Sequence, residues 1–513
     1  HPVTDDSHTT AVGPYVTAND ERGIRNYNMA FPTAGGEWPL PGKYPFVNPL
    51  NFSDIGYDLT GPQVHADGEI WSATNFDIRE LLNNRYPYIG QEIQRECADG
   101  LRPVYDCPGN RRWVQIVFDS FLLMPVRPSF LDARNAQLAA DVLRFGGANQ
   151  DLLWLAFARR GFGQNAFNRN EEDRQPIPDF ESPLHDEATV VFNALAKDEG
   201  RQPVNARIYV GHYEARVSPI ADTDPATGGQ QNWDNVARFV PDDFARANSG
   251  HRAYEFIAHA AGYGHVRFRL SELKPGETRV VTILFPTNWA STHKGAVASG
   301  DGENHDRLID DTEGTNWQST GAPVQGRQVV VQLPGAQRFE VVKVSAALVP
   351  ETNPDETVRS TQNRFTALRE FEIYACTANA DRQNPTCDPT KRGPDGSNGP
   401  TQNQAPLGFK PVVNSQSDAF PGFTPRPVAP ELNLRTWQAP TTTATHVLFR
   451  VLDNQCTGQP YFHGEQDLSV PNTSTDCRIG TLPTLPPRNK EVRAAELQLL
   501  SSRPVVIGAQ AVD

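Results

Sequence analysis

The sequence predicts a multi-domain fold: a helical lobe over residues 1–170, an all-β sandwich of immunoglobulin-like size over 171–290, and a second β domain over 291–513. Three observations carry this reading. A chain of 513 residues is longer than one hydrophobic core serves. Its 43 Pro and 39 Gly favour short strands and ordered loops over long helical bundles. Near residue 171 the spacing of apolar residues changes from helical to alternating.

Residues 1–50 are rich in Pro, Gly and Asn and read as extended loop with docking aromatics such as Tyr27 and Trp38. Helical spacing then runs through 65–84, 113–124, 130–145 and 151–160, and Gly161 stands where a helix of the last segment must end. Strand patterns follow at 188–195, 206–217, 265–270 and 278–285, separated by Gly, Pro, Asp and Asn. Further strands are expected at 327–334, 338–349, 365–376, 445–456 and 494–502. Between them, 377–435 reads as a loop-rich insert.

The formal charge of −14 and the lack of any basic run exclude nucleic acid as a partner. No stretch approaches the ~18 apolar residues of a membrane span. The six cysteines fall into local couples, Cys97 with Cys107, Cys376 with Cys387 and Cys456 with Cys477. Even number and loop-like surroundings predict three disulfides made in an oxidising compartment, hence a secreted, extracellular protein. The chain opens at His1 without a charged-then-apolar leader, so a secretory signal is expected to have been removed or to lie upstream.

The residues that carry chemistry are Val64-His65-Ala66-Asp67-Gly68-Glu69-Ile70-Trp71, at the start of a predicted helix and just after the loop 53–63. A histidine at a helix N-terminus shares its place with unpaired backbone N–H groups, and such a place suits a developing oxyanion. A capping or buried structural histidine is the plainer reading of the same pattern.

The run from Gly13 to Tyr27, GPYVTANDERGIRNY, followed by HADGEIWSATNFDIR, PSFLDARNAQLAAD and LWLAFARRGFGQNA, resembles the fungalysin family of secreted zinc metallopeptidases over about 1–168. The resemblance implies the helical C-terminal lobe of a thermolysin-like metallopeptidase. It also implies that His65 hydrogen-bonds the tetrahedral intermediate, with Asp58 or Asp67 orienting it. In that family Zn²⁺ is held by the two His of H-E-x-x-H and a downstream Glu, and the motif's own Glu is the general base. None of the 12 histidines here begins an H-E-x-x-H, and the nearest approach, His259 to His265, lacks both the spacing and the glutamate. The ligands and the base are therefore expected from a missing N-terminal half, the partner of this chain in cleaving a polypeptide substrate, and the chain alone is expected to be inactive. The alternative is a non-catalytic extracellular protein that binds glycans or cell surfaces, or a structural subunit of an assembly.

In the last domain, Leu308 to Trp317, LIDDTEGTNW, resembles the D-G-D-x-x-T-x-W loop of discoidin-like, galactose-binding-type β jelly rolls. That resemblance implies a structural Ca²⁺ held by Asp310, Thr315 and Glu496, hard oxygen donors from distant parts of the chain. Asp222 and Asp224 offer a second calcium reading, with a capped turn as the plainer one. Tyr461, Phe462 and Phe423 are loop aromatics placed to stack on a sugar, and Asn51 and Asn472 match the N-glycosylation pattern.

Overall fold

The computed structural model describes residues 48–58, 64–211, 213–214, 218–228, 234–241, 254–270, 273–319, 323–346, 364–378, 387–392, 405–415, 419–422, 427–463 and 487–512, with positions 12, 13, 15, 23–27, 62, 232, 321 and 477. Among the described residues, five helices make the lobe: α1 (Val64–Arg85), α2 (Gln91–Ala98), α3 (Gly109–Phe121), α4 (Phe130–Phe145) and α5 (Gln150–Arg159). The short α2 has no counterpart in the sequence reading; its eight residues, QEIQRECA, bury only Cys97, too little for an apolar stripe to show. Gly161 lies just beyond α5 at φ +77°, the left-handed conformation that closes a helix. Ser129 caps α4 reciprocally with Asp132. On α1, Trp71 stacks between Phe130 and Phe157.

The middle domain is two sheets face to face. One runs Val505–Ile507, Thr278–Phe285, Ala188–Ala196, Val236–Phe239; the other runs Gln510–Ala511, Val266–Leu270, Tyr254–His259, Arg207–Val210, Ala221–Asp222. Strict alternation of burial along Ala188–Ala196 turns every second residue toward a core of Phe192, Phe239, Phe256 and Phe268. The third sheet, six strands, centres on Arg435–Asn454 between Leu368–Cys376 and Gln328–Ser345, with Glu496–Leu500 beyond.

Two readings of the sequence are corrected here. The strand break expected at Pro334-Gly335 is only a bulge: Gln328–Ser345 is continuous, and its pairing with Arg435–Asn454 shifts register there. Residues 505–511, assigned by sequence to the last domain, return to the sandwich as edge strands of both its sheets. Open edges at Thr278–Phe285 and Val266–Leu270 offer unpaired backbone groups, and this tail satisfies them.

All three predicted disulfides are formed. Among the described residues, no helix is long and apolar enough to cross a membrane.

Candidate functional site

His65 sits exposed in the first turn of α1, beside Val64, which is 83% exposed. The loop in front of it is held from below. Asp67, on the same turn, is buried and accepts the Gly56 N–H at 2.8 Å, tying the loop to the helix. Glu69 is buried too and accepts the backbone N–H groups of Asn26 (3.0 Å) and Tyr27 (2.8 Å). Burial pushes its carboxyl up to about 8, against the pull of those two donors.

Asp58, expected with Asp67 as a candidate to orient His65, meets a distant partner. It is buried in an ion pair with Arg364 at 3.0 Å, and Arg364 also donates to the Pro427 carbonyl at 2.8 Å. Its visible task is to fasten the lobe to the last domain. The same loop docks on the sandwich as well. Asn51 donates to the Val210 carbonyl, and the hydroxyls of Tyr27 and Tyr213 hydrogen-bond. Gly211 approaches so closely that a Cβ there would lie 2.4 Å from Asp54 Oδ1.

A second constellation lies at the seam between the sandwich and the last domain. Glu214 follows the Arg207–Val210 strand, His259 ends one strand of the second sheet and His265 precedes the next. From the other side come the loop Asp310-Asp311-Thr312-Glu313 and Glu496, the first residue of Glu496–Leu500. Asp311 organises the seam from a left-handed backbone, φ +65°. Its carboxylate is fully engaged, by Asn288 (2.9 Å), Gly262 N–H (2.8 Å), Ser291 (2.5 Å) and His293 (3.0 Å). Its carbonyl receives Nε2 of both His259 and His265, the latter at 2.9 Å.

The remaining carboxylates are less well served. Thr315 donates to Asp310 Oδ2 at 2.7 Å, but Asp310 Oδ1 is buried without a hydrogen-bond partner. Glu496 is fully buried, Gln498 reaches one of its oxygens only at 3.4 Å, and Oε2 has no partner. Burial, then the charges of Asp311 and Asp310, hold the Glu496 carboxyl well above its ordinary range. Burial likewise pushes Asp310 up to about 6 and Glu214 up to about 7. Buried hard oxygen donors without hydrogen-bond partners are of the type that holds a divalent cation.

Other expected positions resolve toward structure. Asp222 and Asp224 cap a turn, accepting Asp224 N–H at 2.7 Å and Ala226 N–H at 3.0 Å respectively. Phe462 is buried edge-on against Phe365, so of the loop aromatics Tyr461 is exposed, and Phe423 lies outside the described residues. Asn51 is buried, and its side chain caps Ser53 and bonds Asp54, which leaves no room for a glycan. Asn472 lies outside the described residues.

The lobe resembles a known family. Residues 1–166 match the model of the Fungalysin metallopeptidase (M36) family. This segment is 34% identical over 153 residues to the extracellular metalloproteinase mep of Aspergillus flavus, covering 29% of this chain and 20% of that protein. It is 32% identical over 152 residues to the mep protein of Aspergillus niger, again 29% of this chain and 20% of that protein. The chain thus spans about a fifth of these curated relatives. A solved family 32 carbohydrate-binding module of EndoD from Streptococcus pneumoniae covers 42% of this chain at 11% identity, with a TM-score of 0.22. At that score the likeness carries no argument, and the description of the last domain rests on its own sheet.

The sequence offers His65, Asp310, Thr315 and Glu496 as candidates; it assigns no role to Glu214, Glu313 or His265, which the structure brings together. The pair His259 and His265 was visible as a spacing that fits no zinc motif. Nothing along the chain reveals that both rings face one carbonyl 46 or more residues away.

Proposed function

We propose that this chain is the C-terminal portion of a secreted zinc metalloendopeptidase, in which His65 donates a hydrogen bond to the oxyanion formed during peptide-bond hydrolysis. The observation that carries the reading is the fungalysin match over 1–166 combined with an exposed His65 on a helix turn anchored by Asp67 and Glu69. The sequence has no H-E-x-x-H, so its own residues do not fit a catalytic zinc, and no step through the metal is assigned to them. In the complete enzyme the zinc, its ligands and the general base belong to an N-terminal part. What this chain contributes is position: the first turn of α1 presents the imidazole and its neighbouring N–H groups to one face of a bound peptide. The lobe also leaves Phe118, Phe121, Leu122 and Val126 exposed together, an apolar strip suited to contact with another body. Three disulfides and the extracellular naming of the relatives support secretion.

The test is reconstitution. A polypeptide carrying the H-E-x-x-H segment, joined to or mixed with this chain, should hydrolyse casein, and His65→Phe should lower kcat on the order of 10²–10³-fold, as loss of one oxyanion donor does. Full activity in His65→Phe removes the role assigned to that side chain.

The last domain supports a calcium site of Asp310, Thr315 and Glu496 in a jelly roll of galactose-binding type, with Tyr461 offering a surface for glycans or cell surfaces. The bare oxygens Asp310 Oδ1 and Glu496 Oε2 carry that reading. Calcium titration of chelator-treated protein should show binding that Glu496→Gln abolishes; equal binding in that variant sinks it.

A further inference from the structure

Beside the calcium candidates, the seam holds a second donor set of different chemistry. One oxygen each of Glu214 and Glu313 and one ring nitrogen of His265 lie within 4.8 Å of one another. Two of the three are fully buried, and Glu214 is half-buried. A carbonyl only accepts, so the contact with the Asp311 carbonyl requires His265 Nε2 to carry the proton. Nδ1 is then left as a bare lone pair, and it is buried without a partner. This is the arrangement of a metal-binding imidazole, whose distal N–H is fixed by a backbone carbonyl. Burial, with His259 next to it, holds the ring well below its ordinary pKa and therefore neutral.

Glu313 is prepared in the same way. Glu313 Oε1 accepts Ser345 Oγ (2.6 Å) and Leu434 N–H (2.7 Å), while Oε2 has no hydrogen-bond partner. Glu214 is fixed by Thr312 and by the Glu313 N–H at 2.5 Å. Arg267 stands 3.6 Å from Glu313 Oε2, too far for a hydrogen bond, and buried Lys343 is directed to the His265 carbonyl at 3.1 Å. Among the described residues, the seam gathers five buried or half-buried carboxylates: Glu214, Asp310, Asp311, Glu313 and Glu496.

We propose that Glu214, His265 and Glu313 form a divalent-cation site of transition-metal type, for which zinc is the fitting ion, clipping the sandwich to the last domain. Imidazole nitrogen with carboxylate oxygen suits zinc and cobalt; calcium prefers an all-oxygen shell. The site is structural, because its donors join two domains and its histidine is enclosed. It stands independently of the peptidase reading and of the calcium site.

The test uses the full chain, stripped with chelator, then titrated with ZnCl₂ alone and with CoCl₂ alone. One equivalent of zinc should bind and raise Tm, and the cobalt form should show visible d–d absorption with imidazole nitrogen in its X-ray absorption spectrum. Glu214→Gln and His265→Phe should each weaken zinc binding on the order of 100-fold, while calcium binding persists in Glu214→Gln. If His265→Phe does not fold, the wild-type cobalt spectrum still decides the matter. No zinc uptake, a cobalt shell without nitrogen, or unchanged affinity in Glu214→Gln overturns the proposal.

Discussion

The helical lobe and the β–β seam both bury carboxylates, yet they neutralise them by different means. In the lobe Asp77, Asp141 and Glu69 each meet protein donors at both carboxylate oxygens, whereas Asp54 keeps Oδ1 buried without a hydrogen-bond partner. Asp77 pairs with Arg160 at 2.7 Å, and the same guanidinium donates to the carbonyls of Asn48 and Leu50. Asp141 takes Asn149 and Gln150, and Glu69 takes two backbone N–H groups. At the seam, Asp311 and Glu214 are satisfied in this way; Asp310, Glu313 and Glu496 each keep an oxygen without a hydrogen-bond partner. Buried anions need compensation: in the lobe protein donors supply most of it, and at the seam the proposed cation sites would supply what the protein donors do not.

The largest effect should come from breaking the lobe's internal pairing. Arg160→Met strands Asp77 and two carbonyls, and a loss of ~3–5 kcal/mol is expected by urea denaturation. A loss under about 1 kcal/mol would show that the lobe is not self-compensating. Removing the Cys97–Cys107 bridge by paired serine substitution should cost about 2–3 kcal/mol, given the short loop it closes. That change should leave metal uptake at the seam untouched; altered uptake would mean the two regions are coupled.

Next is a pH effect in the lobe. Glu69 has its carboxyl raised from 4.5 to about 8, so between those values the unfolded chain has released a proton that the folded one retains. Its contribution therefore falls as pH rises through that window and levels off above about 8. The Tm difference between wild type and Glu69→Gln should change across pH 5–8.5; a constant difference contradicts the assigned burial. The smallest effect is expected at the seam. In chelator-treated protein Glu496→Gln should stay within about 1 kcal/mol of wild type or gain stability, because it removes a buried carboxyl whose ionised form burial disfavours and whose Oε2 has no hydrogen-bond partner. A loss comparable to that of Arg160→Met would erase the distinction between the two regions.

Much of this architecture was legible along the chain because it is local. Four of the five lobe helices follow from apolar spacing, Gly161 from its place after α5, and the disulfides from close cysteine couples. His65 was legible through the motif around it. The unread parts depend on distance in sequence. Asp58 finds Arg364, 306 residues on. The tail 505–511 looks like the end of one domain and completes the edges of another, since nothing in three-residue strands says which edge lies open.

By itself the sequence determined the order of helical lobe and β domains, the redox setting, and the absence of an H-E-x-x-H. Only the tertiary structure decided that Glu214, His265 and Glu313 meet, and that Asp310 and Glu496 keep bare oxygens. The reason is physical: periodicity and spacing report which face of an element is buried. Ligand geometry depends on where separate elements cross, and that is set by the packing of the whole chain.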